Sequence, residues 1–329
     1  MNPRAQALEA LSALRIDAPT SFSWLGEPGP ALPPEVANAM DAATAATYLQ
    51  YTLQGHLYAN FYTRGAAVPS RHDDYAPGAG LTPFVQALSA ANAGSGSSDS
   101  GWIVVREEEN GRIVVARDGL SLWAWPAEID GPRREPGAEV HIRMPKELLR
   151  LSPGFYFALG EAPFADGEPV VRVYWHLRSE GAAELMARLT GPLNADGLPF
   201  RAKVLNDARA YSRCDAGVLY VHQTDFPSVA EHVTRAYGAL RPQLRAATPA
   251  LTKPVAEGLA VAEEPGTGES FGMDRCRLLA VGAIQAWEAE ATQPEEQLAF
   301  VEASFAEAGL SIDAPHLNAG SIDTYELPT

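Results

Sequence analysis

Cysteine is scarce in this chain of 329 residues: only Cys214 and Cys276 occur, and they form neither a disulfide framework nor a metal-ligand spacing. Each is expected to be a buried thiol. The 7 histidines show no HxH or HxxxH pattern, so no metal site is expected. Basic residues number 25 against 41 acidic ones, a net charge of −16, which excludes the extended basic surface that general nucleic-acid binding requires. No apolar run reaches the roughly 18 residues of a membrane span. The first residues, Met1-Asn-Pro-Arg-Ala-Gln, carry no signal-peptide core, so a cytoplasmic protein with no membrane contact is expected. No GxGxxG or GxxxxGK[ST] loop is present, which removes the usual nucleotide-binding devices and leaves no cofactor to expect. Ser97, Ser98 and Ser100 lie in a glycine-serine stretch and not on a nucleophile elbow, and Asp73-Asp74 beside His72 reads as a solvated loop. What these absences leave is metal-independent acid–base chemistry, or simple binding.

What is present is an ordinary globular composition, 46% hydrophobic and 20% charged. Residues 26–34 hold four prolines and two glycines and read as a loop. A helical pattern then runs over 35–62 and ends in an aromatic stripe of Tyr48, Tyr51, Tyr58, Phe61 and Tyr62, most of it core packing. A second helix is expected over 82–91, and 94–101 reads as a flexible connector. The period then changes from 3.6 to 2. Segments 102–106, 112–117 and 120–125 form a meander with Asn110-Gly111 as hairpin turn, and a short helix is expected at 145–149. Strands over 170–177, 200–205 and 217–222 alternate with helices over 180–193 and 228–244, and two helices, 271–290 and 294–308, precede a polar tail. The expected fold is α+β, with a central, mainly antiparallel sheet flanked by helices. An N-terminal helical portion over 1–95, with the character of a subdomain, precedes an α+β domain over 102–329.

The most informative feature is a set of alternating strands. In Val170-Val-Arg-Val-Tyr-Trp-His-Leu177 the residues Arg172, Tyr174 and His176 share one face, and Val171, Val173, Trp175 and Leu177 the other. In Phe200-Arg-Ala-Lys-Val-Leu205, Arg201 and Lys203 oppose Ala202 and Val204, and in Val218-Leu-Tyr-Val-His222, Tyr220 and His222 project together. Glu139-Val-His-Ile-Arg143 repeats the pattern with His141 and Arg143. One sheet built from all four strands would show a cationic face in an acidic protein, which suggests an anion pocket, most simply for phosphate. Lys203, in an apolar strand and facing arginines, is expected to have its charged form disfavoured and so to act as a base. Taken singly, Lys203 also reads as an edge-strand lysine reaching solvent, His141 as a structural histidine and Tyr220 as packing.

Seven motifs in order sharpen this: Ser152-Pro-Gly-Phe-Tyr156, Val171-Arg-Val-Tyr-Trp175, Glu180-Gly-Ala-Ala-Glu-Leu-Met186, Pro199-Phe-Arg-Ala-Lys-Val-Leu205, Tyr211-Ser-Arg-Cys-Asp-Ala-Gly-Val-Leu-Tyr220, Thr252-Lys-Pro254 and Glu269-Ser-Phe-Gly-Met-Asp-Arg275. Together they resemble the Hop-A type III effector-like family over roughly 140–280, with weaker similarity around 58–64. Members of that family resemble the lyase components of class V lanthipeptide and thioamitide synthetases, and are similar to the phosphothreonine lyases of enteric pathogens. The resemblance implies β-elimination of phosphate from phosphoserine or phosphothreonine in a precursor peptide, giving dehydroalanine or dehydrobutyrine. It implies Lys203 as base, His141 as acid, and Tyr220 as the tyrosine following a phosphate-binding Arg213. Arg275 resembles a downstream phosphate-binding arginine. Where the enteric enzymes carry a second lysine this chain has Glu139, and Arg143, Arg172 or Lys253 would substitute. The implied partners are the phosphorylated precursor peptide, a Ser/Thr kinase acting in complex, and a cyclase. A non-catalytic phosphopeptide-binding subunit and a translocated effector lyase acting on host phosphoproteins are the competing readings.

Overall fold

In a computed structural model the chain is described over residues 2–64, 81–130 and 135–328; the expected His72-Asp73-Asp74 loop lies outside these residues. The N-terminal part comprises helix α1 (Pro3–Ala13), a small sheet of β1 (Leu14–Ala18), β2 (Ser21–Trp24) and β3 (Glu27–Pro28), then helices α2 (Pro34–Ala39) and α3 (Ala42–Leu57). The expected continuous helix over 35–62 is interrupted because Met40 is extended and Asp41 caps a new start, accepting a hydrogen bond from Thr44 N at 2.7 Å. It ends in a π turn, Tyr58–Tyr62, closed by Thr63 N donating to Tyr58 O at 3.0 Å. Helix α4 (Pro83–Ala91) follows the Thr82 cap, as expected.

The meander is present as β4 (Ser97–Glu107), β5 (Ile113–Arg117) and β6 (Leu120–Ala124), and short β7 (Ile129–Asp130) and β8 (Glu139–Met144) complete a five-stranded sheet in the order β6-β5-β4-β8-β7. Residues 97–101 are therefore strand, not flexible connector: Ser97, Ser98 and Asp99 pair with Met144, Arg143 and Ile142. The core of this sheet is its own inner face, including Trp102, Val104, Ile113, Val115, Val140 and Ile142.

The larger sheet holds β9 (Glu147–Leu148), β10 (Phe155–Leu159), β11 (Val170–Trp175), β12 (Arg201–Leu205), β13 (Gly217–His222), β14 (Lys253–Ala256) and β15 (Leu259–Glu263). Its order is β14-β15-β11-β13-β12-β10-β9 and every neighbouring pair is antiparallel. The helix expected at 145–149 is instead the edge strand β9, because Glu147 and Leu148 pair with Ala158 and Phe157.

Two helical layers cover this sheet. One face, carrying Val171, Val173, Trp175, Ala202, Val204 and Leu219, buries against α4, α5 (Ala182–Ala195) and α6 (Phe226–Leu240). The other, carrying Tyr174, Val218, Ala260 and Ala262, buries against α1, α3, the π turn, α7 (Phe271–Glu288) and α8 (Pro294–Glu307). The strand alternation read from the sequence is thus the division between two cores, and the α+β class with a helix-flanked antiparallel sheet holds. The polar tail is no free end: Ile312 and Tyr325 are buried in it. No helix among the described residues is long and apolar enough to cross a membrane.

Candidate functional site

The second helical layer covers β15, β11 and β13 but does not extend over β12, so Arg201 and Lys203 are only half-buried. Register fixes what surrounds them. Arg172 pairs across to Tyr220, which pairs to Arg201; Tyr174 pairs to Val218, which pairs to Lys203, which pairs to Phe157. Side chains directly opposite on one face of an antiparallel pair are in contact range, so two rows of cations and aromatics lie side by side.

Lys203 is the centre of this cluster. Its Nζ lies 4.3 Å from the Phe155 ring centroid and 5.6 Å from that of Tyr220, and among the described residues it has no hydrogen bond or ion pair. Ring contacts are each worth about 0.5–2 kcal/mol but do not cancel a charge. The neighbouring arginines differ. Arg172, buried, is paired through Nε and Nη2 with Glu264, and its guanidinium carbon lies 5.1 Å from the Tyr220 ring. Arg213 donates from Nε and Nη2 to the buried Asp215 at 2.8 and 2.7 Å, and from Nη2 to the Tyr58 hydroxyl at 3.1 Å. Both arginines therefore turn one edge to a carboxylate and keep Nη1 unbonded among the described residues. Burial works against the charge on Arg213, and Asp215 more than offsets it, so its guanidinium stays firmly protonated.

Sequence reasoning passed over several members of this cluster. Tyr58 and Tyr62, assigned with the stripe to core packing, are stacked at 5.3 Å by the π turn, and Tyr62 meets Tyr174 edge-on at 6.5 Å. Tyr62 is core, but Tyr58 reaches the site, and Tyr51 is exposed. A π turn is itself a common mark of a functional site, though it leaves no clear trace in sequence. Burial pushes the Tyr174 hydroxyl up to about 12, against the pull of Arg172. Asp215 was readable in principle, two residues beyond Arg213; Glu264, just past the end of β15 and distant in sequence from Arg172, was not.

The remaining predicted residues lie elsewhere. His141 and Arg143 are on β8, in the five-stranded sheet and exposed, so the single sheet expected to join them to Lys203 does not form; Arg143 pairs with Asp130 at 2.9 Å. The reason is local: β8 finds its partners in β4 and β7, whose buried apolar residues match its Val140 and Ile142. Glu139 is exposed at the start of the same strand. Arg275 is buried at 1% exposure in α7 and spends its donors inside the protein, on Asp274, on Pro315 O at 2.7 Å and on Leu317 O at 3.0 Å. Lys253, on edge strand β14, holds Asp323 at 2.7 Å and Tyr325 O at 2.9 Å. Both tie the C-terminal segment down. The two cysteines are buried as expected, and burial pushes the Cys214 thiol up to about 12. Among the described residues no group of three or more His, Cys, Asp or Glu is placed to hold a metal.

Fold and site together define an α+β protein with a half-buried cluster of cations and tyrosines where the second helical layer stops short of β12. The chain belongs to the HopA1 effector protein family, whose family model matches residues 146–317, and it is effector-like in that sense. The matched span carries Lys203, Arg213, Tyr220 and Arg172; Tyr58, His141 and Arg143 precede it. Among solved structures it is similar to the effector protein from Pseudomonas syringae pv. tomato strain DC3000, with 14% identity over 87% of this chain and 94% of that one and a TM-score of 0.49. It is also similar to the effector protein from Pseudomonas syringae pv. syringae strain 61, with 13% identity over 82% and 96% and a TM-score of 0.45. No curated protein matches.

Proposed function

We propose that the protein is a phosphoserine/phosphothreonine lyase that eliminates phosphate from a kinase-phosphorylated precursor peptide, leaving dehydroalanine or dehydrobutyrine. The observation that carries this reading is the charge balance around Phe155. Arg213 and Arg172 come with their own carboxylates, whereas Lys203 has none among the described residues, so the cluster holds one uncompensated cation that shares the Phe155 ring with Arg213 and the Tyr220 ring with Arg172. That arrangement suits a dianionic phosphate held by the two guanidinium groups beside an unpaired lysine, which acts as base once it has given up its own proton.

In the reaction Lys203, as the neutral amine, removes the Cα proton. The freed pair becomes the Cα=Cβ bond as the Cβ–O bond breaks, and phosphate departs with the C–O electrons. Arg213 and Arg172 bind the phosphate oxygens where charge develops. Tyr220 pairs across to Arg172, and its ring lies 5.6 Å from Lys203 Nζ, so it spaces the base from that arginine. Peptide natural-product biosynthesis supplies a substrate of this kind, which makes a Ser/Thr kinase the enzyme acting immediately before, and a cyclase one acting after. Mass spectrometry of kinase-treated precursor peptide tests the reading: loss of phosphate with gain of a dehydro residue is expected. Persistent phosphopeptide in the presence of folded protein and kinase sinks it. Product formation by Lys203→Ala equal to wild type would instead leave a phosphopeptide-binding subunit.

A further inference from the structure

The elimination needs a proton donor at the departing phosphate oxygen, and no strand pairing brings His141 to the cluster. Resting on the lyase reading, we infer that the Tyr58 hydroxyl completes the phosphate subsite and supplies that proton. Three independent features of the fold carry this. The π turn of Tyr58–Tyr62 is a departure from α geometry at the end of α3 that stacks Tyr58 on Tyr62 and so aims it at Arg213. The segment that follows is pinned on both sides, Ala250 N donating to Tyr62 O at 3.1 Å and Cys214 N to Thr63 O at 2.8 Å, so the turn is held against the sheet. The hydroxyl itself accepts from Arg213 Nη2 at 3.1 Å, while its own proton has only a long contact of 3.3 Å to Asp215 Oδ2. Asp215 is already satisfied by Arg213 through two shorter bonds, so the Tyr58 proton is weakly committed and can turn to a phosphate oxygen held by the same arginine.

The electron and proton balance closes. Lys203 takes the Cα proton, the Cβ–O pair goes to the phosphate oxygen, and that oxygen receives the Tyr58 proton. The tyrosinate formed beside Arg213 regains a proton from solvent as Lys203 releases one. Burial, the largest effect, raises the Tyr58 pKa, Asp215 adds to it and Arg213 opposes it, so the hydroxyl carries its proton throughout the neutral range, and the charge developing on the departing phosphate oxygen is what draws it off.

Tyr58→Phe tests this, since it keeps the ring and its stack on Tyr62 and leaves the Arg213–Asp215 pair untouched; circular dichroism and thermal unfolding confirm the fold. Binding is read first with inorganic phosphate by calorimetry, which needs no catalysis. Loss of one hydrogen bond to a charged ligand is expected to weaken phosphate about 10–100-fold. Unchanged phosphate affinity overturns the inference. Elimination is read second: Tyr58→Phe is expected to slow it about 10²–10⁴-fold, with the wild-type rate showing no alkaline fall near the ordinary histidine range. A larger loss in His141→Ala than in Tyr58→Phe, with such a fall, overturns it too. Phosphate bound through Tyr58 by a wild type that eliminates nothing would support the subsite while sinking the lyase reading, so the two fail separately.

Discussion

The ammonium of Lys203 stands 4.3 Å from the centroid of the Phe155 ring, and the guanidinium carbon of Arg213 approaches the same ring at 5.8 Å. One ring thus spaces two cations that would otherwise repel, one with a carboxylate of its own and one without. It gives the cluster its polarity: Arg213 is fixed by Asp215, and Lys203 is left to respond to whatever binds.

Lys203→Ala and Lys203→Arg separate the two jobs of that lysine. Alanine removes the charge and the base, whereas arginine keeps the charge and cannot deprotonate. Both are expected to abolish elimination, by about 10²-fold or more, and only alanine should weaken phosphopeptide binding measurably. Single-turnover mass spectrometry and fluorescence binding read the two effects; an active Lys203→Arg would remove the base role.

Asp215→Asn leaves the shape of the Arg213 contact and removes its charge. The buried guanidinium edge then faces an amide that can accept at only one atom, at a cost of about 1–3 kcal/mol in stability. Elimination should fall about 10-fold as Arg213 loses its fixed pose, with a denaturant midpoint lowered and an unchanged slope.

Gly272→Ala acts on the site from a distance. A Cβ at position 272 would stand 2.6 Å from Tyr62 Cδ1, so the tyrosine must shift. Overpacking of this kind costs about 1–3 kcal/mol. Because Tyr58 stacks on Tyr62, the displaced ring should also move the Tyr58 hydroxyl from Arg213, and phosphate affinity should fall with stability. Unchanged phosphate affinity in a destabilised Gly272→Ala protein would show that the stack does not aim Tyr58.

These relationships explain what was legible in the sequence. Period-2 alternation sorted Val171, Val173, Ala202, Val204 and Leu219 onto one core and Arg172, Tyr174, Lys203 and Tyr220 onto the opposite face, because alternation depends only on local geometry. Which strands share a sheet is a non-local matter, and the same alternation in Glu139-Val-His-Ile-Arg143 placed His141 on the wrong sheet. Arg275 shows the complementary limit. Its motif caps a helix and ties down a segment: Ser270 caps α7 by accepting from Met273 N, Gly272 makes room for Tyr62, and Arg275 commits its donors to the C-terminal segment inside the protein.

Arg275→Ala is accordingly a stability variant. It leaves the carbonyls of Pro315 and Leu317 without their guanidinium donor and takes one of two arginines from the buried Asp274, which keeps Arg277 Nη2 at 2.7 Å, at a cost of about 1–3 kcal/mol. The expected result is a lowered midpoint and faster proteolysis within 311–328, with phosphate affinity unchanged in whatever remains folded. A well-folded Arg275→Ala that binds phosphate poorly would return this arginine to the site.

Acid should destabilise the fold through its buried histidines. Burial holds His176 below its ordinary value of 6.5, and does the same to His316 and to His56. Each is kept neutral in the folded chain and accepts a proton more readily when unfolded. The stability this represents is present above the unfolded pKa and lost as pH falls below it, toward the depressed folded value. His176 is 6% exposed and its Nδ1 stands 2.8 Å from Ala247 O, a contact that the neutral Nδ1–H tautomer makes as donor. Arg245 nearby further disfavours the imidazolium, and Asp215 opposes it. His176→Asn can keep the bond to Ala247 O but cannot titrate. Urea midpoints measured from about pH 7.5 to about pH 5 should therefore fall less steeply in His176→Asn than in wild type. Parallel slopes would mean that His176 is protonated as easily folded as unfolded, and the acid sensitivity would then belong to His316 and His56.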